Sequence, residues 1–94
     1  MAYQLFRGDV LLGVIREETP DFPWTLGTFT PTAAFAAVRP LFDALKGTST
    51  MQEWNDRWLQ LHSPGLRLVP DDSSEPTITD FVLHIDGTRF QLKY

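Results

Sequence analysis

The chain contains no cysteine. Disulfide cross-links, thiol nucleophiles and cysteine-ligated zinc are therefore excluded from its chemistry. Glycine is sparse, with six residues, and Gly8, Gly13 and Gly27 stand well apart. There is no Gly-rich loop to cradle phosphate groups, so a nucleotide site has no support. Long apolar runs are missing too. The longest aliphatic stretch lies around residues 10–15, far short of the roughly 18 residues a membrane-spanning helix needs. Basic residues are outnumbered eight to twelve, which leaves a net charge of −4. A field of that sign repels nucleic acid, and no nucleic-acid partner is expected. The one close basic group, Arg89 with Lys93, has Asp80 nearby to neutralise part of it. The N-terminus shows no basic segment leading into an apolar one, the pattern of a secretory signal. The expectation is a cytoplasmic protein with no membrane association.

What is present describes a folded domain. Ninety-four residues, 43% apolar and 21% charged, suit one globular unit spanning residues 1–94 with a core of its own. The opening contains Arg7-Gly8-Asp9, a tripeptide that integrins read on adhesion proteins. Here it lies between two β-prone runs, where Gly-Asp is turn chemistry. It is read as a hairpin turn and not as an integrin ligand. A two-residue loop sets Leu5 opposite Leu12 and Tyr3 opposite Val14. One face then carries Tyr3, Leu5, Leu12 and Val14, and the other carries Ala2, Phe6, Leu11 and Ile15.

Residues 16–23 follow, with Glu17, Glu18 and Asp21 and two prolines, Pro20 and Pro23. Proline lacks the N–H that a ladder uses, so this stretch is expected to be an irregular loop. Residues 24–30 read as a third strand. Thr30 with Pro31 has the form of a helix start, threonine as N-cap and proline at the first helical position. Phe35, Val38, Phe42 and Leu45 then form a single apolar stripe. Pro40 should kink that helix or split it, and Gly47 should stop it. A second helix begins with a capping box, Thr50 with Glu53 or Ser49 with Gln52. Its apolar stripe is Met51, Trp54, Trp58 and Leu61, and Ser63, Pro64 and Gly65 end it. A short strand over residues 66–69, an acidic turn over residues 70–76 and a last hairpin around Asp86-Gly87 complete the chain. That hairpin reads with Ile85 opposite Thr88 and His84 opposite Arg89. The order is β-β-β-α-α-β-β-β. It implies an α+β fold, an antiparallel sheet of five to six strands with both helices on one face.

The stretches FTPTAAFAAVRPLF and FVLHIDG, with the opening FRGDVLLG, resemble small uncharacterised bacterial proteins of about this length. Those motifs are structural, a helix start and two turns. The resemblance implies a stand-alone bacterial protein and carries over no functional residues.

Catalytic constellations are not visible. His62 ends a helix, where the dipole favours a cation. His84 lies on the polar face of the last hairpin. Ser63, Ser73 and Ser74 lie in turns without the strained elbow of a serine nucleophile. Asp71, Asp72 and Glu75 share one turn but match no calcium-loop spacing. No catalytic residue, metal ligand or cofactor is therefore assigned. The two-faced opening hairpin is the feature that asks for an explanation. Phe6, Leu11 and Ile15 need a cover, either the segment with Phe22 and Trp24, a second copy or another protein. The leading expectation is a non-catalytic interaction or adaptor protein that uses those three residues. The alternative is a small-molecule or metal-binding protein, or an enzyme, with a pocket between sheet and helices near Trp54, Trp58 or His84.

Overall fold

Gly8 and Gly87 have φ angles of 61° and 62°, and no other kind of residue has a positive φ among the described residues. Each glycine opens a two-residue turn, Gly8-Asp9 between paired Arg7 and Val10 and Gly87-Thr88 between paired Asp86 and Arg89. A tight hairpin with a positive φ at its first central position alone is the type that demands glycine there. This corrects the register expected for the last hairpin. An Asp86-Gly87 turn would have put aspartate in left-handed geometry. The chain instead turns one residue later, so Ile85 faces Phe90, His84 faces Gln91 and Leu83 faces Leu92. The shift is by two in the pairing, and the apolar face is kept.

The computed structural model describes residues 2–62, 65–72 and 74–94. Its six strands, β1 (Ala2–Arg7), β2 (Val10–Asp21), β3 (Trp24–Pro31), β4 (Leu66–Pro70), β5 (Val82–Asp86) and β6 (Arg89–Lys93), form one antiparallel sheet in the order β4-β1-β2-β3-β6-β5. Two α-helices, α1 (Arg39–Lys46) and α2 (Met51–His62), follow a 3₁₀ segment over Ala33–Ala37. Phe35, Phe42, Leu45 and Leu61 join Leu5, Ile15, Phe29 and Phe90 in one core cluster, so the helical part lies on one face of the sheet. This is the α+β architecture that the order of elements implied.

The opening hairpin departs from its expected pairing. Phe6 faces Leu11, but Leu5 faces Gly13, and Tyr3 faces Ile15. Leu12 is the extra residue of a β-bulge, which reverses the alternation beyond it. Tyr3, Leu5, Leu12 and Ile15 are all buried, while Phe6, Leu11 and Val14 are half-buried. Ile15 is 0% exposed and belongs to the core, not to a face shared with Phe6 and Leu11. The bulge therefore exchanges Ile15 for Val14 on the outer face, beside Phe6 and Leu11.

Residues 16–21 are strand, not loop. Among the described residues β1 starts opposite Arg16, and over residues 17–21 β2 pairs with β3 alone. A strand edge tolerates Pro20, which has no N–H to give. A second bulge, between Glu17 and Thr19, bends the strand further. Thr30 and Pro31 likewise stay in the ladder, opposite Val14 and Gly13. The helical segment starts later, after Thr32, whose hydroxyl donates to the Leu11 carbonyl at 2.6 Å and caps nothing. Pro40 then sits in the first turn of α1, where its missing N–H is harmless, so the helix is split rather than kinked.

Of the two expected capping boxes, Thr50 with Glu53 starts α2, and Ser49 joins it through Glu53 rather than Gln52. The Glu53 N–H donates to the Thr50 Oγ1 at 3.1 Å, and the Glu53 carboxylate accepts from the N–H and hydroxyl of Ser49. At the far end, the Arg7 guanidinium donates to the carbonyls of Leu61 and Gln60 at 3.0 and 3.1 Å. The arginine of the Arg-Gly-Asp motif thus closes the C-terminus of a helix. Ser63 and Pro64, expected to end α2, lie outside the described residues. No helix among the described residues is long and apolar enough to cross a membrane.

Candidate ligand-binding groove

Strand alternation puts His84, Gln91 and Lys93 on the face away from Leu83, Ile85, Phe90 and Leu92. Because β3 lies beside β6 with Thr25 opposite Leu92, Trp24 comes alongside Lys93. The Lys93 Nζ lies 5.2 Å from the centre of the Trp24 ring, a cation–π contact. The capped start of α2 supplies Trp54. The His84 imidazole lies between the two indoles, 5.6 Å from Trp24 and 6.0 Å from Trp54, centroid to centroid. Trp54 stacks on Trp58 at 5.5 Å, and Trp58 meets His62 and Phe81 edge-on.

Trp24, Trp54, His84 and Lys93 border a groove of about 480 Å³ at the β5 edge, together with Val82 and Met51. Residues 48–50 line it as well, and their hydroxyls already have work at helix termini. Thr48 donates to the Leu45 carbonyl, Ser49 to Glu53, and Thr50 accepts from the Glu53 N–H. No carboxylate lines the groove, and among the described residues no acid pairs with Lys93. A second cavity of about 420 Å³ lies on the other side of His84. Its cations are neutralised, Lys46 by Asp86 and Arg89 by Glu18, both at 2.9 Å.

Burial pushes the His84 imidazole below its usual range. Burial does the same to His62, with Asp80 opposing it weakly. His62 is therefore disposed to be a neutral ring among aromatics rather than the helix-capping cation expected. Burial disfavours the charged form of both histidines, so near pH 6 the unfolded chain binds more protons than the native one. Stability then rises with pH through the window from the lowered native values up to about 6.5, the unfolded value. The urea midpoint should fall as pH drops from 7.5 to about 5.5. It should change much less over that window in a His62→Gln/His84→Gln variant, because carboxylates titrate lower. An unchanged pH slope in the variant would show that other groups carry the effect.

The remaining sequence candidates are dispersed. Phe6 and Leu11 stay on the outer face, and the Arg67 guanidinium lies 4.7 Å over the Phe6 ring. Asp72 accepts from the N–H and hydroxyl of Ser74, which hold its carboxyl below the usual range. Ser73 lies outside the described residues. Among the described residues, no three His, Asp or Glu side chains converge as a metal site would require. Near β1, the buried Tyr3 hydroxyl meets that of Tyr94 at 3.2 Å. Burial, the Tyr94 hydroxyl and Glu17 push its ionisation far above the usual tyrosine range. It stays a neutral hydrogen-bonding group.

Trp54 and His84 were visible as pocket candidates in the sequence. Trp24 and Lys93 were not, because their meeting depends on β6 lying next to β3. Comparisons with family models, curated proteins and solved structures return no match.

Proposed function

We propose that this protein binds a small aromatic acid in the groove between Trp24 and Trp54. One observation carries the reading. Among the described residues the ammonium of Lys93 has no carboxylate partner, yet it sits over an indole in a groove without acids, on a chain of net charge −4. Two indoles offer flat apolar walls to a planar ring. The cation offers a counter-charge to a carboxylate at one end. A neutral His84 can donate or accept a hydrogen bond between them. A sugar would need more directional polar partners than His84 and Lys93 provide. The engaged hydroxyls favour binding over nucleophilic catalysis, since no serine or threonine of the groove is paired with His84. Of the three residues of the interaction reading, Ile15 lies in the core, while Phe6 and Leu11 stay half-buried on the outer face.

The test is a titration with phenylacetate beside its neutral analogue 2-phenylethanol, read by tryptophan fluorescence and melting temperature. Phenylacetate should change the fluorescence saturably and raise the melting temperature, since a ligand of the native state alone must stabilise it. Lys93→Gln should weaken its binding about tenfold, as loss of one charge-assisted contact does. Equal binding of the neutral analogue, or no response to the acid, would refute the proposal.

A further inference from the structure

The groove selects for an aromatic ring beside a carboxylate, and the chain displays that pair at the tip of its own β2–β3 hairpin. Phe22 is 97% exposed, the most exposed large apolar side chain among the described residues, and Asp21 beside it is exposed as well. Asp21 closes the hairpin ladder opposite Trp24, so the tip starts two residues from a wall of the groove. With Phe22 this exposed, its ring is not packed into the groove of its own chain. We infer that a second copy of this chain docks its Phe22 tip into the groove, an inference that rests on the groove being a site for an aromatic acid.

The charges match across such a contact. The tip brings Asp21, while the groove contributes Lys93 without an acidic partner among the described residues. The placement also closes. Knob and hole lie at the same end of the molecule, so a two-fold axis passing beside that end brings each tip to the other's groove at once. Met51, 74% exposed on the rim of the groove, then meets the shallow apolar surface of Pro20, Pro23 and Tyr94 at the partner's tip. Both exposed side chains leave water together, which is what drives such association.

The test is solution mass by light scattering over a wide concentration range. Wild type should form a dimer. Phe22→Ser should raise the dimer dissociation constant about thirtyfold or more, as removal of a central aromatic anchor does. It should leave the melting profile of the monomer unchanged, since the side chain is solvated. Lys93→Asp should also dissociate the dimer, and the charge exchange Asp21→Lys with Lys93→Asp should restore it. A wild type that is monomeric at every concentration overturns the docking, as does a dimer that survives Phe22→Ser. Phenylacetate added to the Phe22→Ser monomer keeps the two readings apart. A response there beside a monomeric wild type sinks self-docking alone, while no response sinks the groove reading beneath it.

Discussion

Gly27→Ala should remove about 3 kcal/mol or more of folding stability, the upper end of what overpacking does. An added methyl at this position would overlap the Arg16 carbonyl and lie 2.7 Å from the Phe90 ring. Neither neighbour can yield cheaply. The carbonyl is backbone of β2, next to the bulge between Glu17 and Thr19, and Phe90 is buried opposite Gly27 in the ladder. The ring covers the gap that the glycine leaves, so the close approach and the packing are one feature. A domain of this size has about 5–15 kcal/mol in total, and the loss would be a large share. Gly87→Ala is the control. A methyl there meets nothing within 4 Å, but φ is +62°, and the left-handed backbone alone costs about 1–2 kcal/mol. Urea midpoints of both variants decide the matter. If Gly27→Ala loses no more than Gly87→Ala, steric approach is not what fixes glycine at residue 27.

The alternation and stripe patterns carried most of the fold. Phe35, Val38, Phe42 and Leu45 are all buried, although the helix they were assigned to is a 3₁₀ segment and a separate α-helix. The stripe survives because it reports which side faces the sheet, not which helix type bears it. Where the reading failed, ladder geometry overrode local chemistry. Pro20 reads locally as a strand breaker, but a residue paired on one side only needs no N–H on the other. Thr30 and Pro31 look like a helix start, yet pairing with Val14 and Gly13 keeps them in β3. The bulge at Leu12 has no local signature except Gly13, where the Phe29 ring lies 2.5 Å from the place a Cβ would take. That ring comes from another strand. One inserted residue moved Ile15 from the expected interaction face into the core.

The groove was legible only in part for a related reason. His84, Lys93 and Gln91 fall on one face by simple alternation. Trp54 follows from the capping box that starts α2. Trp24 reaches the same place only because β6 lies between β3 and β5, a long-range arrangement that no stretch of ten residues encodes. The charge pattern repeats the point. Arg89 and Lys93 look like one basic group, but Glu18, the extra residue of the second bulge, neutralises Arg89, and among the described residues no acid pairs with Lys93.

Phe35→Ala should lower stability by about 3–5 kcal/mol, the range for emptying a buried aromatic site. The ring is 0% exposed and meets Phe29 edge-on at 4.8 Å and Phe42 at 5.5 Å. It lies between the sheet and α1, so neither side can close the cavity without moving the other. The 3₁₀ segment that bears it has no side-chain cap. Apart from its own turns, one backbone bond among the described residues ties its start to the sheet, from the Thr32 N–H to the Leu12 carbonyl at 2.9 Å. Packing of Phe35 therefore holds the segment, and through it α1 and the Lys46–Asp86 contact of the second cavity. Phe35→Leu, which keeps much of the volume, should lose far less, about 1 kcal/mol, and should retain the response to phenylacetate. Chemical denaturation of the two variants separates the explanations. If Phe35→Ala loses no more than Phe35→Leu, the Thr32 hydrogen bonds and not the ring anchor the helical layer to the sheet.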